Sequence, residues 1–221
     1  MRISIDTKAT VVIGDYSRGG MSRGLEAVRA LDHDMATKTK LVPFGILEPE
    51  TSALDLTFGT SNKTSDFIVD CVEAWWDGSQ ERHEGITELV IDSDNGPESN
   101  GQRTQFLKRM IEFVDATGVR VHLVYYPPYH SKYNPIERCW GILEKHWNGT
   151  LLSTISTTLE WARTMTWRGI APAVRLTTTI YEKGVRVSKK AMAAIESRLQ
   201  RSPTLPKWDI IIEPLPSRSK V

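Results

Sequence analysis

Leu89-Val90-Ile91-Asp92-Ser93-Asp94-Asn95-Gly96-Pro97 is the stretch from which the fold can be read. Three branched apolar residues run directly into strong turn chemistry. A short apolar run bounded by turn signals reads as a buried strand, placed here over residues 86–92. Downstream, a helix is expected from about Thr104 to Ala116, stopped by Gly118 as a left-handed cap. Val119 to Tyr125 is the next strand, broken by Pro127-Pro128, and a further helix covers about Asn134 to Trp147, with Gly149 after it. Upstream, Thr64 or Ser65 caps a helix reaching about Asp77, on which Phe67, Ile68, Cys71, Val72 and Trp75 recur at helical spacing. Before it lie short strands at Pro43 to Ile46 and Ala53 to Phe58, an irregular glycine-bearing insertion over 15–40, and a strand or bent hairpin strand over 2–14.

The resulting order is β-β-β-α-β-α-β-α. A meander followed by alternating helices and strands implies an α/β architecture: a mixed five-stranded sheet with helices on both faces. This is the order of the ribonuclease-H-like fold. Residues 1–152 are expected to form that unit. Residues 153–200 read as a helical appendage and 201–221, with Pro203, Pro206, Pro214 and Pro216, as an extended tail.

Composition sets bounds on function. The 221 residues carry 28 Lys+Arg against 27 Asp+Glu, a net charge of +1. That balance lends no support to nucleic-acid binding, so such an argument must rest on local patches and on a site. Cys71 and Cys139 fall within apolar helical patterns without zinc-ligand spacing, which predicts buried free thiols in a reducing compartment. No apolar run approaches the ~20 residues of a membrane span, and no signal peptide is expected. A cytoplasmic protein follows as the expectation.

Three carboxylates carry the candidate chemistry. Asp6 lies in Ile3-Ser4-Ile5-Asp6-Thr7-Lys8, on the first strand, which is central in this fold. An unpaired carboxylate there is costly unless something compensates it. Asp94 opens the turn after the strand over 86–92, where ligands gather in open α/β sheets. Asp92, two residues earlier, competes with it but sits within the strand. Glu137 follows Asn134-Pro135, a helix start, and Glu144 on the same stripe is a decoy farther along. A plain dipole-complementing role is the duller reading of Glu137. Ile136, Trp140, Leu143 and Trp147 mark the buried stripe of that helix. Oxygen donors from two strands and one helix suit hard divalent cations.

The segments Asp94-Asn95-Gly96-Pro97 and His130-Ser131-Lys132-Tyr133-Asn134-Pro135-Ile136-Glu137-Arg138-Cys139-Trp140, taken with Asp6, resemble the DDE transposases of bacterial insertion sequences. Longer stretches such as Asp66 to Trp76 and Trp161 to Trp167 resemble the Rhodopirellula-type transposase family, and the resemblance covers nearly the whole chain. It implies catalytic and metal-binding roles for Asp6, Asp94 and Glu137, two Mg²⁺ ions (with Mn²⁺ as a substitute), and cut-and-join chemistry on DNA. The partners it implies are transposon ends and target DNA, handled by a homodimer in a synaptic complex. His130, Lys132, Tyr133 and Arg138 around the aromatic loop, and Arg18 and Arg23 in the glycine-bearing insertion, are the expected DNA contacts. Such enzymes normally carry a helix-turn-helix region ahead of the catalytic domain. Here the first catalytic strand begins at residue 2, so the chain reads as a catalytic fragment or a truncated frame. A nuclease of the same fold and an inactive remnant that binds DNA or a partner are the alternatives. Asp32-His33-Asp34, and the basic cluster of Lys183, Arg186, Lys189 and Lys190, are weaker candidates, read first as solvated surface.

Overall fold

Ile3 and Ile5 point to one face of the first strand and Ser4 and Asp6 to the other, and this alternation builds the centre of the molecule. In the computed structural model, which describes residues 1–21, 29–31, 39–127, 130 and 133–216, β1 (Arg2–Thr7) pairs antiparallel with β3 (Lys40–Leu47) and parallel with β5 (Glu88–Ser93). β4 (Leu54–Gly59) continues the meander antiparallel to β3, and β6 (Arg120–Tyr125) lies parallel to β5. These five contiguous strands, β4-β3-β1-β5-β6, are the expected mixed sheet. The stretch over 2–14 resolves into β1 and a two-residue β2 (Val11–Val12) that pairs with β3.

The sheet extends beyond those five strands. β7 (Ala173–Thr177) adds parallel to β4 at one edge, while β9 (Asp209–Ile212) and β8 (Leu199–Arg201) add antiparallel beyond β6 at the other. The segment expected as helices and a tail thus carries two helices and three strands. The physical reason lies in the edges: β4 and β6 would otherwise present unpaired backbone groups, and the isoleucine run of β9 covers one of them.

Helices pack on both faces. α1 (Ser65–Asp77) starts at Thr64, whose hydroxyl accepts from the Phe67 N–H, and α2 (Thr104–Thr117) ends at Gly118 with φ 71°. Both bury against Ile3, Ile5, Phe44, Ile91 and Leu123. α3 (Ile136–Trp147) and α4 (Ile155–Thr164) cover the opposite face over Leu41, Leu47, Leu56 and Phe58. The expected stripe Ile136, Trp140, Leu143 and Trp147 is buried throughout, each side chain contributing about 1.5–3 kcal/mol. A short α5 (Lys189–Glu196) packs beside α2, with Ile195 entering the first core. Cys71 and Cys139 are free and buried, as expected, and burial pushes each thiol up to about 12.

Candidate active site

The placement of α3 determines the site, and Asn134 determines the placement of α3. Its side chain is fully buried at 0% exposure. Its Nδ2 donates to the Ile5 carbonyl of β1 at 3.0 Å, and its Oδ1 accepts from the Ser4 hydroxyl. The Ser4 Oγ in turn accepts from the Ile136 N–H at 3.0 Å, one of the donors that a helix start leaves without an intrahelical partner. Pro135, ahead of the first turn, has no N–H to satisfy. The Asn-Pro-Ile segment is therefore bonded directly to the strand that carries Asp6, and Glu137 follows in the first turn.

One turn along α3, Trp140 Nε1 donates to Asp6 Oδ2 at 2.7 Å. Gly45 stands opposite Asp6 in the β1–β3 register. A Cβ on Gly45 would fall 2.8 Å from the Trp140 ring and 3.0 Å from Ile136. The absence of a side chain there lets the indole cross β3 and reach the carboxylate. Asp94, just past β5, accepts from the Gly96 N–H at 3.2 Å, which fixes the turn beneath it. Asp6 and Asp94 line one small hollow, together with Lys63, Ser93 and Glu98.

The electrostatics set Asp6 apart. Among the described residues the buried acids are Asp6, Glu48, Asp55 and Asp92. Glu48 pairs with Arg82 at 2.8 Å, Asp55 with Arg175 at 2.5 Å and Asp92 with Arg2 at 2.7 Å. Asp6, at 9% exposure, has no ion pair among the described residues, and neither do Asp94 and Glu137. Burial pushes the Asp6 carboxyl above its ordinary range and Asp94 pushes it further, against the Trp140 and Thr7 hydrogen bonds and the more distant Lys63. Glu137 is raised by burial, then by Asp6 and by Asp94, with Lys8 opposing. Asp94 thus opposes ionisation of Asp6, and both oppose ionisation of Glu137, with Lys63 and Lys8 as counter-charges that form no ion pair with them.

This opposition fits hard divalent cations, which take carboxylate oxygens and would remove the repulsion. Among the described residues, no group of three or more His, Cys, Asp or Glu side chains is placed to hold a metal ion, so Asp6, Asp94 and Glu137 do not stand as a preformed ligand set. Asp6 Oδ2 is engaged by Trp140, which leaves Oδ1 as the oxygen without that bond.

The decoys are occupied elsewhere. Both oxygens of Asp92 take a two-pronged contact from Arg2, at 2.7 and 2.8 Å. Glu144 meets Lys8 at 2.6 Å, Arg18 at 3.2 Å and the Trp147 indole at 2.8 Å. Burial opposes its ionisation, but these donors hold its carboxyl below the ordinary range.

The expected DNA contacts are scattered. His130 is exposed and stacks on Tyr133 with ring centroids 5.8 Å apart and planes 19° from parallel, ahead of the Asn134 clamp. Arg138 is exposed on α3. Arg18 lies over the Trp147 ring at 5.2 Å and against Glu144, so part of its charge is engaged within the fold. Arg23, Lys132 and the Asp32-His33-Asp34 group lie outside the described residues. Sequence reasoning missed Ser4, Gly45, Lys63 and the second role of Asn134. The polar Ser4 on the same strand face as Asp6 was the available signal.

The family model described as the Rhodopirellula transposase DDE domain matches residues 1–214. Among solved structures, the Mos1 transposase paired-end complex with the left transposon end is similar in fold, with a TM-score of 0.51 and 7% identity. The similarity covers 72% of this chain and 46% of that one, so the chain matches less than half of its length. No curated protein sequence matches the chain.

Proposed function

The chain belongs to the Rhodopirellula transposase DDE-domain family, and from that premise we propose that Asp6, Asp94 and Glu137 are the catalytic carboxylates of metal-dependent DNA cleavage and strand transfer. A transposase catalytic-domain role is what the family gives; the metal mechanism and the residue assignment are the proposal. The observation that carries it is the contrast among buried acids: three have arginine partners in direct contact, whereas Asp6 has hydrogen bonds, the acidic neighbours Asp94 and Glu137, and no ion pair among the described residues, with Lys63 acting on it only through space.

Asp6, Asp94 and Glu137 would together hold two Mg²⁺ ions. When bound, such ions activate the attacking oxygen and stabilise the leaving one in an in-line displacement at phosphorus. The chain's own groups do the rest. Trp140 fixes one oxygen of Asp6, so the carboxylate meets its ligands in one orientation. Asn134 and Ser4 hold the first turn of α3, and hence Glu137, against β1. The exposed His130–Tyr133 stack offers an aromatic platform for an unpaired base. Transposon ends and target DNA are the proposed substrates, in a homodimeric synaptic complex. Among the described residues no helix is long and apolar enough to cross a membrane, in keeping with action in the bacterial cytoplasm.

The test is cleavage and joining of duplex DNA with Mg²⁺ or Mn²⁺, comparing wild type with Asp6→Asn, Asp94→Asn and Glu137→Gln. Each substitution should cost at least about 10²–10³-fold while leaving the fold intact, as loss of a preorganised electrostatic group does. Cleavage surviving in any variant removes that residue from the assignment. Cutting without joining would favour a nuclease.

A further inference from the structure

The small hollow at Asp6 and Asp94 opens beside a much larger cleft of about 650 Å³, and the two share Lys63 and Glu98 on their walls. Three lysines border the large cleft, Lys40 at the start of β3, Lys63 before α1 and Lys183 after β7. Its acids are mostly spoken for. Glu98 pairs with Arg103 at 3.1 Å, and Asp66 with Arg109 at 3.1 Å. None of the three lysines makes an ion pair among the described residues, and Glu182 is the remaining acid on the wall.

The fold ties together the segments that carry two of these lysines, Lys63 and Lys183. Tyr181 is buried, its N–H donates to Ser61 Oγ at 2.9 Å, and its carbonyl accepts from Asn62 Nδ2 at 2.8 Å. Its hydroxyl donates to Asp70 at 2.9 Å, and its ring packs on Phe67. These bonds lock the segment bearing Lys183 onto the loop bearing Lys63. The rest of the lining is hydroxyls and amides with Val42, Pro97 and Val185 between them, and no aromatic side chain among the described residues.

We propose that this lysine-bordered cleft is the track for the phosphodiester backbone of a DNA strand running from the catalytic carboxylates, with Lys63 at the junction. The inference rests on the DNA-cleaving reading above and adds where one arm of the substrate lies. Point charges and hydroxyls suit phosphate oxygens, which position a strand without reading its sequence. Without an aromatic platform the cleft does not stack bases, so binding along it is independent of sequence. The His130–Tyr133 side of the site differs in that respect.

The experiment measures binding of fluorescent duplex and single-stranded oligonucleotides of several sequences by anisotropy, over a salt series, without divalent metal. The variants are Lys63→Gln, the pair Lys40→Gln/Lys183→Gln, and a control pair Lys108→Gln/Lys145→Gln that removes equal charge from α2 and α3 outside the cleft. Each cleft lysine removed should lower the log–log salt slope by about 0.7–0.9, which is about five- to eightfold in affinity at 0.1 M salt relative to 1 M. The loss should be uniform across sequences. Equal losses from the control pair, an unchanged slope in the cleft variants, or a marked sequence dependence of the loss overturns the proposal. So does failure of the wild type to bind DNA. Metal-dependent cleavage abolished by Glu137→Gln, with the cleft variants binding as wild type, would overturn the cleft alone and leave the catalytic reading standing. Lysine-dependent binding without any metal-dependent cleavage would support the cleft and sink the catalytic reading.

Discussion

Replacing Asn134 by Ala tests the link between fold and site most directly. The substitution removes the Nδ2 donor to the Ile5 carbonyl and the Oδ1 acceptor from Ser4, both in a place with no solvent access. Two net hydrogen bonds amount to about 2 kcal/mol, and a buried group left without its partner adds about 1–3 kcal/mol. Ser4 keeps the Ile136 N–H, so the lower end of that addition applies. The expected loss is therefore about 3 kcal/mol, or a Tm lower by about 6–12 °C for a chain of this size. The functional loss should exceed the structural one. Glu137 begins three residues after Asn134, and a displacement of about 1 Å at a reacting group can cost about 10²-fold.

Leu143→Ala is the matched control. It lies on α3, the helix that Asn134 precedes and anchors, and opens a cavity in the core beneath that helix costing about 2–5 kcal/mol without touching the clamp. Urea denaturation followed by circular dichroism gives both stabilities, and Mn²⁺ calorimetry with DNA cleavage gives function at a temperature where both variants are folded. Asn134→Ala should lose metal affinity and cleavage far beyond Leu143→Ala at similar stability. If the two variants fall equally, or if Asn134→Ala lies within about 0.5 kcal/mol of wild type, the clamp does not position the site.

Two further outcomes follow from the charges. Burial and the neighbouring acids raise the Asp6 and Glu137 carboxyls, so the folded protein holds their protons more tightly than the unfolded chain does. Their contribution to stability is fully present below the ordinary carboxylate pKa of about 4 and is lost as pH rises through the raised folded values. Without divalent ions, urea midpoints should therefore carry a declining component over that window, which Asp6→Asn reduces; an identical pH profile in the variant would contradict the mutual-repulsion account. Arg2→Ala strands the buried Asp92 without its partner and should cost about 2–3 kcal/mol, less than a fully buried pair because Arg2 is half exposed. Cleavage per folded molecule should be unchanged, and its loss would bring Asp92 into the site.

The sequence made the helices and central strands legible because burial imposes periodicity on them. The stripe Phe67, Ile68, Cys71, Val72 and Trp75 can face only one way, and Gly118 marks the end of α2 by the left-handed backbone it adopts. β7 and β9 were not legible for a corresponding reason. An edge strand is defined by the neighbour it pairs with, and Asp209-Ile210-Ile211-Ile212 sits between prolines that argue locally for an extended tail. Its pairing with β6 is a tertiary fact. Asn134 was legible only in part: a helix-start residue and a buried clamp look the same in the chain, and the difference appears once Ser4 and the Ile5 carbonyl are opposite it.

A carboxylate near a strand end has low information by itself, since this chain has several acids in comparable settings. What separates them is whether the fold supplies a cation. Asp92 and Glu144, each near a candidate residue in sequence, received arginine or lysine partners, as did the buried Glu48 and Asp55. Folding alone gives no reason to leave Asp6 buried beside Asp94 without such a partner, because desolvated like charges oppose each other and the folded state. A charge supplied from outside the chain gives that reason. The same logic extends to the cleft, where three lysines lie beside two acids already paired and a single further one, Glu182, so the surplus is positive next to a site where the surplus is negative. Divalent cations at one and a phosphate backbone at the other would complement both surpluses at once, and a DNA strand with its metal ions supplies both.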